Sequence, residues 1–211
     1  MDISPRAIDV LSIVDLVLCE DSRIIHRLFK RYDISNKLKV INDINENYKK
    51  DNIINYLLEG KDLALVSDAG TPCISDPGYR IVNGARKNKI EVITIPGPCS
   101  VIAALSISGL PTDNFYYQGF LPKKKGRQTK FKELVGFDCS IVLFESPKRI
   151  IKTLNDILFY LGDRTVALCR ELTKIYEEVK INKVSLLIEE SESIKQKGEY
   201  VIIIAKEGYK Y

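Results

Sequence analysis

Apolar positions along this chain fall into blocks that switch between two rhythms. Short apolar runs bounded by turn residues predict strands at 15–19, 38–41, 63–66, 91–95, 115–121, 140–144, 165–169, 176–180 and 199–205. Between them, apolar residues at helical spacing predict helices. The first opens on Ser4-Pro5 and runs to about Val14, with Ala7, Val10, Leu11 and Val14 on one face. A second carries Ile24, Ile25, Leu28 and Phe29, and a third runs from Asn45 to Glu59 and ends at Gly60. Further helices are predicted over 77–87, 100–108, 128–135 and 184–189. The clearest is Pro147 to Leu161, where Ile150, Ile151, Leu154, Ile157, Leu158 and Leu161 recur in phase. Strands alternating with helices predict an α/β fold built on parallel sheet. The sequence as given opens on a helix with no strand before it. Gly109-Leu110-Pro111-Thr112-Asp113 is the best linker, dividing the chain into an N-terminal domain over 1–110 and a C-terminal one over 111–211.

The stretch Leu63 to Gly78 stands at the centre of this pattern. Leu63 to Val66 reads as a strand buried on both faces. It breaks into Ser67-Asp68-Ala69-Gly70-Thr71-Pro72, a loop of small residues with one carboxylate. The next helix is expected to start near Asp76-Pro77, with Asp76 as N-cap. A small-residue loop at the carboxyl end of a strand is where open α/β sheets bind ligands. Glu20-Asp21-Ser22-Arg23, Pro96 to Ser100, Glu145 to Arg149 and Arg170-Glu171-Leu172-Thr173-Lys174 also follow apolar runs. The small residues of 100–108 allow close backbone approach, either to a sheet or to a ligand.

Composition narrows the chemistry. The 211 residues are 45% hydrophobic and 28% charged, which suits a globular chain with a substantial core. A net charge of +4 permits a polyanionic partner without demanding one. Cys19, Cys73, Cys99, Cys139 and Cys169 are widely spaced and odd in number, and His26 is the single histidine. Free thiols in a reducing cytoplasm are expected, and no metal site. No run of about 18 apolar residues and no signal peptide is evident, so no membrane association is expected. No Walker-type phosphate loop, G-x-G-x-x-G or G-x-S-x-G elbow occurs. Lys123, Lys124, Lys125, Arg127, Lys130 and Lys132 form the densest basic cluster, suited to RNA phosphates, with Tyr116 and Tyr117 nearby as base-stacking candidates, one of them expected to be buried.

Five motifs occur in register: Val66 to Gly78, Pro96-Gly-Pro-Cys-Ser100, Gln118-Gly-Phe-Leu-Pro122 with Lys125-Gly126-Arg127, Phe144-Glu-Ser-Pro-Lys-Arg149, and Arg170-Glu-Leu-Thr-Lys174. Together with Cys19-Glu-Asp-Ser-Arg23 they closely resemble the ribosomal RNA small subunit methyltransferase I family, a branch of the tetrapyrrole methylase superfamily. The resemblance spans essentially the whole chain. It implies two α/β domains with the cofactor in the cleft between them, a homodimer, and S-adenosylmethionine-dependent methylation of a cytidine 2′-hydroxyl in the decoding region of 16S rRNA. Family members normally carry a strand and a proline- and glycine-containing loop before the position of Asp2-Ile3-Ser4, so the first sheet is expected to lack that strand. They also often carry histidines near 41–46, where Asn42 and Asn45 stand here.

Under this resemblance, Asp68, Ala69, Gly70, Thr71, Pro96, Gly97 and Ser100 are expected to hold the cofactor. Glu145, Glu171 and Lys174 are the candidates for activating the ribose hydroxyl. Lys123, Lys124, Lys125, Arg127, Arg149 and Arg170 are expected to grip RNA. Two alternatives stand beside this one: a related methylase acting on a small tetrapyrrole, and a non-catalytic RNA-binding remnant.

Overall fold

In the computed structural model, which describes residues 2–210, the chain folds as two units, the first running through Cys99 and the second beginning at Ser100. In the first unit, helix α1 (Pro5–Ile13) starts where the Ser4 side chain accepts the Ala7 N–H and Pro5 fills the first helical position. Strands β1 (Leu16–Cys19), β2 (Leu38–Val40) and β3 (Leu63–Leu65) form a parallel sheet in the order β2-β1-β3. Helices α2 (Ser22–Tyr32), α3 (Glu46–Leu58) and α4 (Tyr79–Lys87) complete the unit. The two-residue period of β1 sorts the core. Val17 and Cys19 pack with Leu11, Ile25 and Phe29, whereas Leu18 packs with Ile41, Ile53 and Ile81.

Three expectations change here. β3 lies at the sheet edge, so its residues are half-buried rather than covered on both faces. Residues 91–95, β-branched as they are, pair with no strand among the described residues, and Ile93 is 71% exposed. A strand needs a ladder partner as well as propensity. Helix α4 starts at Tyr79, not near Asp76-Pro77. Gly78 precedes it at φ +127°, and a Cβ there would collide with the Leu65 side chain.

The second unit contains α5 (Ser100–Ile107), β4 (Phe115–Phe120), α6 (Arg127–Leu134), β5 (Ser140–Glu145), a 3-10 turn at Pro147–Arg149 and α7 (Ile150–Leu161). It continues through β6 (Thr165–Arg170), β7 (Glu178–Lys183), α8 (Val184–Glu189), a 3-10 turn at Ser191–Ser193 and β8 (Tyr200–Ile204). The strand order is β4-β5-β8-β6-β7. Only β4 and β5 run parallel; β8 is antiparallel to both its neighbours, and β7 is antiparallel to β6. The expectation of parallel sheet therefore holds for the first unit and fails for most of the second. The connection from Arg170 to Glu178 is too short for a crossover and can only fold back. That hairpin pairs Arg170 with Glu178, which moves β7 from the expected 176–180 to 178–183.

The helical stripe of α7 behaves as its spacing predicts. Ile150, Leu154, Ile157 and Leu161 join Phe131 and Leu134 of α6 against Ile141, Leu143, Val166, Leu168, Ile202 and Ile204 of the sheet. Helix α5 packs on β8, with Ala104 fully buried, so its small residues serve approach to a sheet. Among the described residues, no helix is long and apolar enough to cross a membrane.

Candidate functional site

All three strands of the first sheet run the same way, so the loops after them share one edge. Two of those loops are tied together through Asp68. Its Oδ1 accepts the Asp21 N–H at 3.1 Å, and its own N–H supports the Glu20 carboxylate. The Thr71 hydroxyl donates to the Pro98 carbonyl at 3.0 Å, which joins Ser67–Pro72 to the Pro96–Pro98 turn. The Ser67 hydroxyl donates to the Gly70 carbonyl at 3.1 Å and folds the loop on itself. Ala69, Gly70, Thr71, Pro96 and Gly97 are exposed. The N–H groups of Ala69, Gly70 and Gly97 make no hydrogen bond among the described residues. Six residues sequence reasoning grouped for the cofactor thus lie together; Ser100 begins α5 of the second unit.

The edge is acidic. Burial raises the Glu20 pKa, and the neighbouring Asp76 and Asp68 carboxylates raise it further. Burial also pushes the Cys19 thiol up, with help from Asp68, Asp21 and Glu20. Asp21 differs: hydrogen bonds from the Arg23 side chain and backbone hold it at about 2. Among the described residues, no group of three or more His, Cys, Asp or Glu is arranged to hold a metal ion.

In the second unit, Glu145 ends β5 and is 2% exposed. Arg149 reaches it at 2.6 Å, the Thr153 hydroxyl donates to it at 2.7 Å, and the Ser146 N–H donates at 2.6 Å. Arg127 lies 3.9 Å away and also bonds Asp156 at 2.7 Å and Thr153 at 2.8 Å. Both arginines donate onward to the loop before α6: Arg149 to the Leu121 carbonyl and Arg127 to the Pro122 carbonyl, each at 3.3 Å. Arg127 is 5% exposed and faces inward, whereas Lys123, Lys124 and Lys125 are exposed. Arg127 and Arg149 therefore belong with the support of the loop, and the lysines form its outer surface.

The second cluster lies at the same end of the sheet, since Glu145 and Arg170 both pair with Tyr200 of β8. Glu171, at φ +49°, accepts the Glu199 N–H at 2.9 Å and Lys174 Nζ at 3.0 Å. Lys174 also donates to Glu199 at 2.9 Å. The Lys174 hydrogen bond lowers the Glu171 pKa against the effect of burial. Burial works against the Lys174 charge, but the Glu199 and Glu171 carboxylates outweigh it and raise its pKa. Arg170 is bound to the carbonyls of Lys197 at 2.8 Å and Tyr176 at 3.1 Å. Gly198 makes the cluster fit: a Cβ there would sit 2.6 Å from Glu171 Cγ. The two tyrosines of β4 are engaged internally, Tyr116 stacked on Phe137 at 4.2 Å and Tyr117 edge-on to Phe144 at 5.3 Å. Both are half-buried.

The family model for tetrapyrrole (corrin/porphyrin) methylases matches residues 1–187. The chain is 44% identical over 207 residues to a Vibrio cholerae protein named ribosomal RNA small subunit methyltransferase I, covering 96% of this chain and 72% of that one. It is 42% identical over 204 residues to the Thermotoga maritima protein of the same name, covering 97% of this chain and 92% of that one. The chain belongs to the ribosomal RNA small subunit methyltransferase I family. Among solved structures, diphthine synthase matches with a TM-score of 0.74 at 14% identity, over 97% of this chain and 84% of that one. The methyltransferase CobJ matches with a TM-score of 0.71 at 12% identity, over 100% and 90%. At such identities the likeness is one of fold, that of the tetrapyrrole methylases.

One residue in this family member escaped sequence reasoning. Glu46 is fully buried, and its Oε1 accepts the N–H groups of Gly78 at 3.1 Å and Arg80 at 3.0 Å. Its Oε2 pairs with the Arg80 guanidinium at 2.9 Å. Glu46 thereby caps α4, the task expected of Asp76, and anchors the end of the Ser67–Gly78 loop. Only the reciprocal Asn42–Asn45 pair, each side chain accepting the other's N–H at 3.0 Å, hinted that this turn starts a positioned helix.

Proposed function

We propose that this chain transfers the methyl group of S-adenosyl-L-methionine to the 2′-hydroxyl of a cytidine in 16S rRNA of the small ribosomal subunit, in the cytoplasm and as a homodimer. The observation that carries it is identity above 40%, over nearly the whole chain, with proteins named ribosomal RNA small subunit methyltransferase I.

The first unit's loop edge fits the cofactor chemically. S-adenosyl-L-methionine carries a sulfonium and an ammonium, which complement the Glu20 and Asp68 carboxylates. Its carboxylate and adenine acceptors suit the free N–H groups around Ala69, Gly70 and Gly97. Thr71, bound to Pro98, keeps the two loops at fixed spacing. When bound, the cofactor supplies an electrophilic methyl group, and the protein's task is to position and to exclude water.

In the second unit, Lys123, Lys124 and Lys125 meet RNA phosphates. Glu145 holds Arg127 and Arg149, and through them the carbonyls of the loop, so it acts as a positioning residue for the lysines. Lys174, kept charged between Glu171 and Glu199, stabilises negative charge developing on a ribose oxygen. Glu171 orients Lys174, and Arg170 fixes the connection on which both sit.

Purified small ribosomal subunits lacking the modification, incubated with the chain and tritiated S-adenosyl-L-methionine, test this directly. Label is expected in 16S rRNA, at a cytidine whose 3′ linkage resists alkali, because a methylated 2′-oxygen cannot attack the phosphodiester. Label on a base, or none in RNA beside label in a small tetrapyrrole, overturns it.

A further inference from the structure

We propose that the outer face of α7 is a second RNA contact, on which the Phe159 ring stacks against an unpaired base while Lys148 and Lys152 hold the adjoining phosphates. This rests on the RNA substrate proposed above and adds a binding surface to it.

Phe159 is 80% exposed, so its ring is open to a ligand. It is also held in place. Its ring stands edge-on to Tyr160 at 4.8 Å, and Tyr160 stacks on the fully buried Phe131 at 5.2 Å. The exposed ring is thus the outermost member of an aromatic column rooted in the core, a pre-organised platform that loses little freedom on binding.

Charge selects the occupant. Lys152, Asn155 and Phe159 follow one another at helical spacing on α7, Lys148 precedes them in the 3-10 turn, and all four are exposed. Neither lysine has an acidic partner among the described residues. The nearest carboxylate of α7, Asp156, is turned toward Arg127 at 2.7 Å. The same Arg127 link sets the start of α6, and with it the Lys123–Lys125 loop, beside the first half of α7. Lys152 and Phe159 are separated by about 10 Å along the helix axis. An unpaired cationic row ending in an open aromatic ring is the composition of a single-strand RNA surface, where bases stack and phosphates pair with lysine. A protein partner would meet two uncompensated ammonium groups beside one ring.

The chain contains no tryptophan, so Phe159→Trp introduces a sole fluorescent reporter of its kind. The probe is an unstructured oligoribonucleotide added to the whole chain, with a DNA duplex of equal length as control. Expected outcomes are quenching of the indole emission of Phe159→Trp by the oligoribonucleotide and little quenching by the duplex. Phe159→Ala is expected to weaken single-strand binding about tenfold with the salt dependence unchanged. Lys152→Gln is expected to lower the slope of log affinity against log salt by about 0.7. Oligoribonucleotide binding that leaves the indole emission unchanged, with Phe159→Ala binding at full affinity, overturns the stacking surface while the RNA reading stands. Failure of every form of the chain to bind the oligoribonucleotide or the small subunit removes the RNA reading itself. Emission that changes with protein concentration alone, together with a drop in mass for Phe159→Asp, assigns the face to self-association and also overturns the proposal.

Discussion

The Glu46 carboxylate accepts the backbone N–H of Gly78, thirty-two residues away, at 3.1 Å inside the core. A helix that begins on a glycine has no side chain of its own to cap it, and Glu46 satisfies the first N–H groups from outside. The fixed end of α4 is also the fixed end of the loop that carries Asp68 to Thr71.

Glu46→Ala is therefore expected to cost about 3 kcal/mol in urea unfolding, from loss of the cap and an orphaned buried site. Arg80→Ala leaves the fully buried Glu46 carboxylate without that cation, so it too should be destabilising although the guanidinium is 39% exposed. A loss for Glu46→Ala no larger than that of a surface substitution would remove the cap.

Glu145 and Arg127 form the core of the loop support. Arg127→Ala leaves the buried Glu145 short of a cation, and about 3 kcal/mol of stability should be lost. Lys123, Lys124 and Lys125 changed together to glutamine should leave the unfolding midpoint within error. The salt slope of RNA affinity should fall by roughly 2. A large stability loss in the lysine variant would contradict their exposed placement.

Gly198→Ala should strain the backbone by about 1–3 kcal/mol, since φ is +97°, and push Glu171 away from Lys174. Methyl transfer is expected to fall further than folded fraction, while cofactor affinity measured by calorimetry stays unchanged. Lys174→Arg should recover part of the turnover that Lys174→Met loses. Full turnover in Lys174→Met would remove the residue from the reaction.

The Glu171–Lys174 pair should also shape stability against pH. Glu171 is lowered from its ordinary 4.5, so its contribution is complete above that value and is lost as pH falls through the lower folded pKa. Lys174 is raised from 10.5, so its contribution is complete below that value and is lost as pH rises through the folded pKa. Glu171→Gln should flatten the acid limb and Lys174→Met the alkaline limb. Unchanged limbs in urea midpoints across pH would show that the pair adds nothing.

Thiol reactivity should sort by burial. Burial, aided by the Glu177 charge, pushes the Cys169 thiol up to about 12, and Cys19 and Cys139 are also buried. Only the half-buried Cys73 and Cys99 should react with a disulfide reagent in the folded protein. Rapid labelling of all five thiols without denaturant would contradict this core.

Most of the elements, and the family, follow from the sequence alone. The stripe Ile150–Leu161 and the β-branched run ending at Ala205 carry their own periodicity, which depends only on local backbone geometry and on which side is apolar. That the loops after β1 and β3 share one edge is likewise legible, because parallel strands place their carboxyl ends together. Only the tertiary structure could separate Arg127 from Lys125, two cations near each other in sequence with opposite fates. Burial of a charge is decided by partners such as Glu145 and Asp156, which arrive from distant elements. The same holds for Glu46 capping α4, for β8 entering between β5 and β6, and for residues 91–95, whose strand propensity finds no ladder. Propensity and periodicity act over a few residues, whereas the pairing of buried polar groups and strand edges is settled by long-range neighbours that no local pattern encodes.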